Sequence, residues 1–121
     1  MKRISAKIIA VAVALLALSA PALAHAFLDH AVPGVGMTVS GSPAELELTF
    51  TQDLVPAFSG VRVASESGSP IAIGRPVFGP ANTIHVRLPH ALKPGTYLVS
   101  WHVVSVDTHR TQGTYKFIIV P

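Results

Sequence analysis

Two short stretches of this 121-residue chain carry side chains that could hold a metal ion: His25, and Asp107-Thr108-His109. His25 follows Ala22-Leu23-Ala24, a small-residue box after Pro21. Ahead of that box lie the basic residues Lys2, Arg3 and Lys7 and an unbroken apolar run from Ile8 to Leu18. Together these features predict a secretory signal peptide over residues 1–24. Cleavage after Ala24 would make His25 the first residue of the mature chain, with a free amine beside its imidazole. Those groups ionise at about 7.7–8.0 and about 6.5, so neither gives up much to become a neutral ligand near neutral pH. In Asp107-Thr108-His109, residues i and i+2 of an extended segment point to the same side, so the carboxylate and the imidazole can meet one ion. One amine with two imidazoles makes a T-shaped nitrogen set that suits tetragonal Cu(II). Zinc is chemically possible with the same ligands. Each stretch also has an ordinary reading: some residue follows every cleavage site, and an aspartate beside a histidine in a loop is commonly a solvated pair or a turn cap.

The elements that must position these residues are strands. In Glu45-Leu46-Glu47-Leu48-Thr49-Phe50-Thr51 the apolar side chains alternate with polar ones, which puts Leu46, Leu48 and Phe50 on one face. The same period recurs in Val61 and Val63, in Ile84, Val86 and Leu88, in Tyr97, Val99, Trp101 and Val103, and in Tyr115, Phe117 and Ile119. Pro33-Gly34, Gly41-Ser42-Pro43, Ser67-Gly68-Ser69-Pro70, Gly79-Pro80 and Lys93-Pro94-Gly95 fall between the runs, as turns require. No stretch after residue 25 offers a sustained helical pattern. Seven or so short strands predict an all-β, antiparallel Greek-key sandwich or barrel as one domain over residues 25–121. His85 and His102 alternate with core-facing neighbours and are expected on outer faces, and His90 lies in a proline-rich turn. His30 is expected just after the first strand, within reach of the edge of the site. Trp101 reads as a core anchor.

Composition narrows the function. Removing residues 1–24 takes away Lys2, Arg3 and Lys7, so nine basic residues become six against six acidic ones. With no net charge and no Lys/Arg stripe along the chain, neither nucleic acid nor an anionic membrane surface is expected as a partner. Ile8–Leu18 is shorter than the roughly 20 apolar residues of a membrane span, and no later run is longer. The mature protein is therefore expected to be exported and soluble. The chain has no cysteine, so an exported domain of this size must hold together through one hydrophobic core without disulfides.

His25-Ala26-Phe27-Leu28, Pro33-Gly34 with Gly36, Phe50-Thr51-Gln52-Asp53-Leu54-Val55, Phe58-Ser59-Gly60, Pro94-Gly95-Thr96-Tyr97, and Trp101 through Ser105-Val106-Asp107-Thr108-His109 to Gly113 resemble the CopC family of small periplasmic copper-binding proteins. The resemblance covers essentially the whole mature chain. It implies a cupredoxin-like, immunoglobulin-like β-sandwich with one Cu(II) ion at one end. The ligands it implies are His25 through amine and imidazole, His109 through its imidazole and Asp107 through its carboxylate, a histidine brace. It further implies a role in copper homeostasis or resistance as carrier, reservoir or chaperone, without catalysis, and in some members a partnership with a CopD-type inner-membrane protein. Three positions depart from the family. Gln52 stands where some members have glutamate and brings no charge. Val63 to Ile73 contains no methionine, and Met37 is the one methionine after residue 24, so the Cu(I) site of methionine-rich members is not expected. Arg110 stands where members often have proline and puts a positive charge beside the proposed ion. Two other functions fit parts of the pattern. A histidine brace also resembles the copper site of oxidative polysaccharide-cleaving enzymes, although short strands and tight turns leave little loop for a substrate platform. A plain immunoglobulin-like interaction module would need no metal.

Overall fold

An alternating strand has one apolar face, and that face must find another to cover it. In the computed structural model, which describes residues 26–121, two sheets do this for each other. Residues 1–24, read above as a signal peptide, and His25 lie outside the described residues.

The strands are β1 (Leu28–Val32), β2 (Thr38–Ser40), β3 (Glu45–Phe50), β4 (Gly60–Ser65), β5 (Pro70–Ile71), β6 (Val77–Phe78), β7 (Thr83–Arg87), β8 (Gly95–Val104) and β9 (Arg110–Val120). A single 3₁₀ turn, Pro56–Phe58, is the one helical element among the described residues. One sheet has the order β1-β3-β7-β6, the other β2-β9-β8-β4-β5. They form an open sandwich rather than a closed barrel. Pairing is antiparallel except for β2, which runs parallel to β9. The sheet is therefore mixed, where the turn pattern alone predicted an antiparallel one. Among the described residues no helix is long and apolar enough to cross a membrane.

The period-two residues meet in the interior. Leu46, Leu48 and Phe50 of β3 and Ile84 and Val86 of β7 face Val61, Val63, Val99, Val103, Phe117 and Ile119 across the gap, all buried. Trp101 is the pivot of this core. Its ring meets Phe50 edge-on at 5.1 Å between centroids, an arrangement that places a positive ring edge against a negative face. On its other side Trp101 lies against Gly113, its partner in the β8–β9 ladder. A Cβ on residue 113 would come within 2.5 Å of Trp101 Cζ2, so only glycine allows the rigid indole to lie there.

The outer faces are polar. His85 on β7 occupies the outward position expected of it, but it is tied down. Its Nδ1 lies 2.7 Å from Glu45 Oε1 and its Nε2 lies 2.8 Å from the Gly79 carbonyl. Both partners are acceptors, so both ring nitrogens must donate, and the geometry selects the imidazolium. The hydrogen bond to Glu45, the bond to Gly79 and the field of Glu47, which faces His85 in the ladder, raise its pKa above the ordinary 6.5. The other charged neighbour is Arg87, opposite Glu45.

Two outcomes follow from this packing. Gly113→Ala should cost about 1–3 kcal/mol of stability through overpacking, read by urea denaturation, with a change in tryptophan near-ultraviolet circular dichroism. For His85, a pKa raised in the folded state means that its stabilisation is complete below the unfolded value and fades as pH rises through the folded one. The stability advantage of wild type over His85→Ala should therefore be largest on the acid side of neutrality, above the range where Glu45 protonates. It should shrink steadily toward alkaline pH in paired urea titrations.

Candidate metal centre

Three segments converge at one end of the sandwich. The longest hairpin, β8 and β9, keeps register from Gly95 opposite Ile119 to Val104 opposite Arg110, and its tip is Ser105–His109. Ser105 N–H donates to the His109 carbonyl at 3.0 Å, and Thr108 N–H to the Ser105 carbonyl at 2.8 Å. That leaves Val106, Asp107 and Thr108 as a three-residue loop, closed by a β-turn hydrogen bond and ending in a left-handed residue. Thr108 is that residue, with φ of 73°. A β-branched side chain in this region costs about 1–2 kcal/mol. It persists because the ladder on both sides fixes the loop ends.

The loop is also fastened from beside. Leu54 forms a bridge to Ser105, Val106 N–H donates to the Asp53 carbonyl at 3.0 Å, and Val55 N–H to the Val104 carbonyl at 2.8 Å. Ser59 Oγ accepts from Val104 N–H at 3.0 Å and donates to the Val55 carbonyl at 2.9 Å. The third segment is Ala26-Phe27. Thr111 Oγ1 donates to the Ala26 carbonyl at 2.5 Å, while Phe27 and Thr51 exchange hydrogen bonds of 2.9 Å. Ala26, which follows His25 in the chain, is thus buried between the start of β9 and the end of β3.

At the tip, His109 Nδ1 lies 3.3 Å from Asp107 Oδ2. Aspartate and histidine meet as the spacing suggested, but not for the reason given: the segment is a turn, not an extended strand, and the left-handed Thr108 swings them together. Ser105 was not foreseen. Its fully buried hydroxyl donates to Asp107 Oδ1, and its oxygen also lies 3.3 Å from the His109 carbonyl. His109 N–H adds a long 3.4 Å contact to the same Oδ1. The Ser105 hydroxyl in the first place, with the His109 ring and N–H, holds the Asp107 carboxyl below the usual carboxylate range against the opposing effect of desolvation. The carboxylate is thereby split in function: Oδ1 is anchored to the fold and Oδ2 faces the imidazole. A small side chain that is buried beside a turn is the signal that could have marked Ser105, but burial is not visible in a tripeptide of spacing.

The other candidates lie elsewhere. Among the described residues no third His, Cys, Asp or Glu joins Asp107 and His109; His25 is outside that set. His30 lies within β1 rather than after it, at a bulge in the pairing with β3, and contacts Asp29 at 3.2 Å. Gln52 is half-buried and Asp53 exposed in the segment that fastens the tip. His102 is exposed on the outer face of β8 and His90 is exposed in the loop before β8. Val63 to Ile73 forms a hydroxyl-lined turn, with Ser65 and Ser67 Oγ atoms 2.8 Å apart.

The sequence model of the CopC domain matches residues 28–120. The chain belongs to the CopC family. It is 36% identical over 98 residues to protein YobA of Escherichia coli K12, covering 79% of each chain. It is 35% identical over 106 residues to copper resistance protein C of Pseudomonas syringae pv. tomato, covering 82% of this chain and 83% of that protein. The crystal structure of PcoC, a methionine-rich copper resistance protein from Escherichia coli, superposes with a TM-score of 0.73 at 30% identity. That match spans 80% of this chain and all of PcoC. The CopC sandwich thus matches the fold expected from the strand pattern.

Ser105→Ala should remove about 1–2 kcal/mol of stability, because it deletes a buried donor and leaves Asp107 Oδ1 with only the long contact from His109 N–H. Hydrogen exchange should localise the loss, with the Thr108 and His109 amides exchanging faster while those of Val99 and Phe117 keep their order of protection.

Proposed function

We propose that this CopC-family chain is a periplasmic Cu(II)-binding protein, a carrier, reservoir or chaperone in copper homeostasis or resistance, that takes one ion per chain. In this reading residues 1–24 are a signal peptide. His25 then supplies amine and imidazole, His109 a second imidazole and Asp107 a carboxylate. The observation that carries the proposal is the Asp107–His109 pair at 3.3 Å on a turn fixed without metal. Ala26, next in sequence to His25, is held against the start of β9, two residues past His109. Relatives called copper resistance protein C support copper as the cargo. The chemistry supports the oxidation state: nitrogen donors with one carboxylate oxygen suit Cu(II), whereas Cu(I) prefers thioethers.

The methionine-rich description of PcoC marks a contrast. This chain has Met1 and Met37 alone, and Met37 is exposed in the turn before β2. The reading therefore includes no Cu(I) site, and copper would not pass between two sites in one molecule. It assigns no catalysis. A CopD-type inner-membrane protein is the proposed recipient or source of the ion.

A Cu(II) titration against a competing chelator tests this, using protein that begins at His25 beside the same protein with one extra N-terminal residue. Tight binding at one ion per chain, lost on extension, is the expected result. His109→Ala and Asp107→Ala should each weaken binding, the histidine change by more than the roughly 10–100-fold that loss of an outer partner costs. Equal binding by the native and extended chains would overturn the brace. An intact site after both internal substitutions would move copper elsewhere.

A further inference from the structure

The five strands of the β2-β9-β8-β4-β5 sheet contain no aspartate or glutamate. They do contain Arg62 on β4, His102 on β8, and Arg110 and Lys116 on β9, all exposed. Their neighbours Val61, Val63, Trp101, Val103, Tyr115 and Phe117 fill the core, so the four polar side chains share the outer face. The register gathers them. Arg62 faces Ser100 and Ser100 faces Thr114; Gly60 faces His102 and His102 faces Gln112; Arg110 and Lys116 cap the same face along β9. β4 and β9 flank β8 at about 4.8 Å on either side, so the cations Arg62, Arg110 and Lys116 form an arc around the His102 imidazole. The opposite sheet carries Asp29, Glu45 and Glu47 against Arg87 alone. With six basic and six acidic residues after residue 25, this polarity is arrangement rather than excess.

Nothing neutralises the arc from within. Among the described residues the ion pairs are those of His30, His85 and His109, and none involves Arg62, His102, Arg110 or Lys116. The surface is also shaped. Two shallow depressions of about 350 and 290 Å³ meet at His102 and Gln112, one reaching Phe58 and Arg110, the other Arg62 and Thr114. A Cβ at Gly60 would come within 2.8 Å of His102 Cε1, so the imidazole rests against bare backbone and floors both depressions. Phe58, 64% exposed on its 3₁₀ turn, stands at the rim. An exposed aromatic side chain beside unpaired arginines is the composition enriched in protein interfaces.

We propose that this face docks an acidic segment of a partner protein, with carboxylates on Arg62, Arg110 and Lys116 and an apolar side chain against Phe58. A nucleic-acid backbone, with one charge per about 1.7 Å of duplex axis, is a poor match for cations spaced out by Ser100, Thr114 and Gln112. A second copy is a poor match too, because the other sheet offers only Asp29, Glu45 and Glu47, of which Asp29 and Glu45 are already held by His30 and His85. Arg110 follows His109 directly, so a partner seated here would also touch the hairpin tip. The proposal stands on the face itself and not on the copper reading.

The test is a nuclear magnetic resonance titration of isotope-labelled, metal-free protein with a synthetic peptide of glutamates flanking one leucine. Shift changes are expected at Arg62, Ser100, His102, Gln112 and Lys116, and they should vanish as salt shortens the reach of surface charge. Arg62→Gln/Arg110→Gln/Lys116→Gln should weaken binding by roughly tenfold or more, whereas Arg75→Gln/Arg87→Gln should not change it. The amide spectra themselves report whether each variant is folded. Changes spread evenly over both sheets, no changes at low salt, or full binding by the triple variant would overturn the proposal. So would phosphatidylglycerol vesicles broadening these same signals while the peptide leaves them unmoved, which would assign the face to a lipid surface.

Discussion

The ladder between β8 and β9 runs for ten residue pairs without a break, and the rest of the molecule is arranged around it. Its inward residues, Tyr97, Val99, Trp101 and Val103 against Tyr115, Phe117 and Ile119, supply seven of the eighteen buried core residues among the described residues. Its outer residues supply most of the cationic face. Its closure at Ser105–His109 creates the turn that brings a carboxylate and an imidazole together. Because register is period two, a slip of one residue would exchange core and surface along both strands at once. Trp101 over Gly113 blocks such a slip, since no other pairing offers the indole a residue without a side chain. Packing in the middle of the sandwich therefore determines geometry at its end.

The hairpin tip shows how little of a site consists of its donor atoms. Asp107 and His109 are both exposed, and an exposed polar pair contributes little by itself. What gives the pair a fixed separation is the hydrogen bonding around it: the buried Ser105 hydroxyl beneath Asp107, the Asp53 and Val104 carbonyls taken up by neighbouring segments, and the Ala26 carbonyl held by Thr111. Electrostatics and packing act on different parts of the same turn. Hydrogen bonding to Ser105 favours the charged carboxylate, and the surrounding ladder supports the left-handed Thr108 that presents it.

Legibility in the sequence followed locality. Each of the core strands could be read from its own alternation, because burial of one face leaves its mark within six or seven consecutive residues. The meeting of Asp107 and His109 was legible as a coincidence of residue types, whereas its mechanism was not: φ at Thr108 is set by closure of a hairpin that runs back to the pairing of Gly95 with Ile119. The parallel pairing of β2 with β9, the burial of Ser105 and the placement of His30 within β1 at a bulge all depend on contacts between distant segments. So does the acid-free face, whose cations at 62, 110 and 116 look scattered along the chain. Family membership was legible because turn residues and the Ser-x-Asp-x-His stretch are themselves local.

Every sheet here has two open edges, and open edges invite unwanted pairing between molecules. In this protein each edge is short or interrupted. β5 and β6 are two residues long, the first beginning at Pro70 and the second bracketed by Pro76 and Pro80. β2 has three residues and ends at Gly41, whose φ of 78° turns the chain away. β1, the longest, is broken by its bulge between Leu28 and His30. A strand from another molecule would find no run of evenly spaced, unpaired backbone groups on which to add. The brevity of these margins thus works against amyloid-type growth by strand addition.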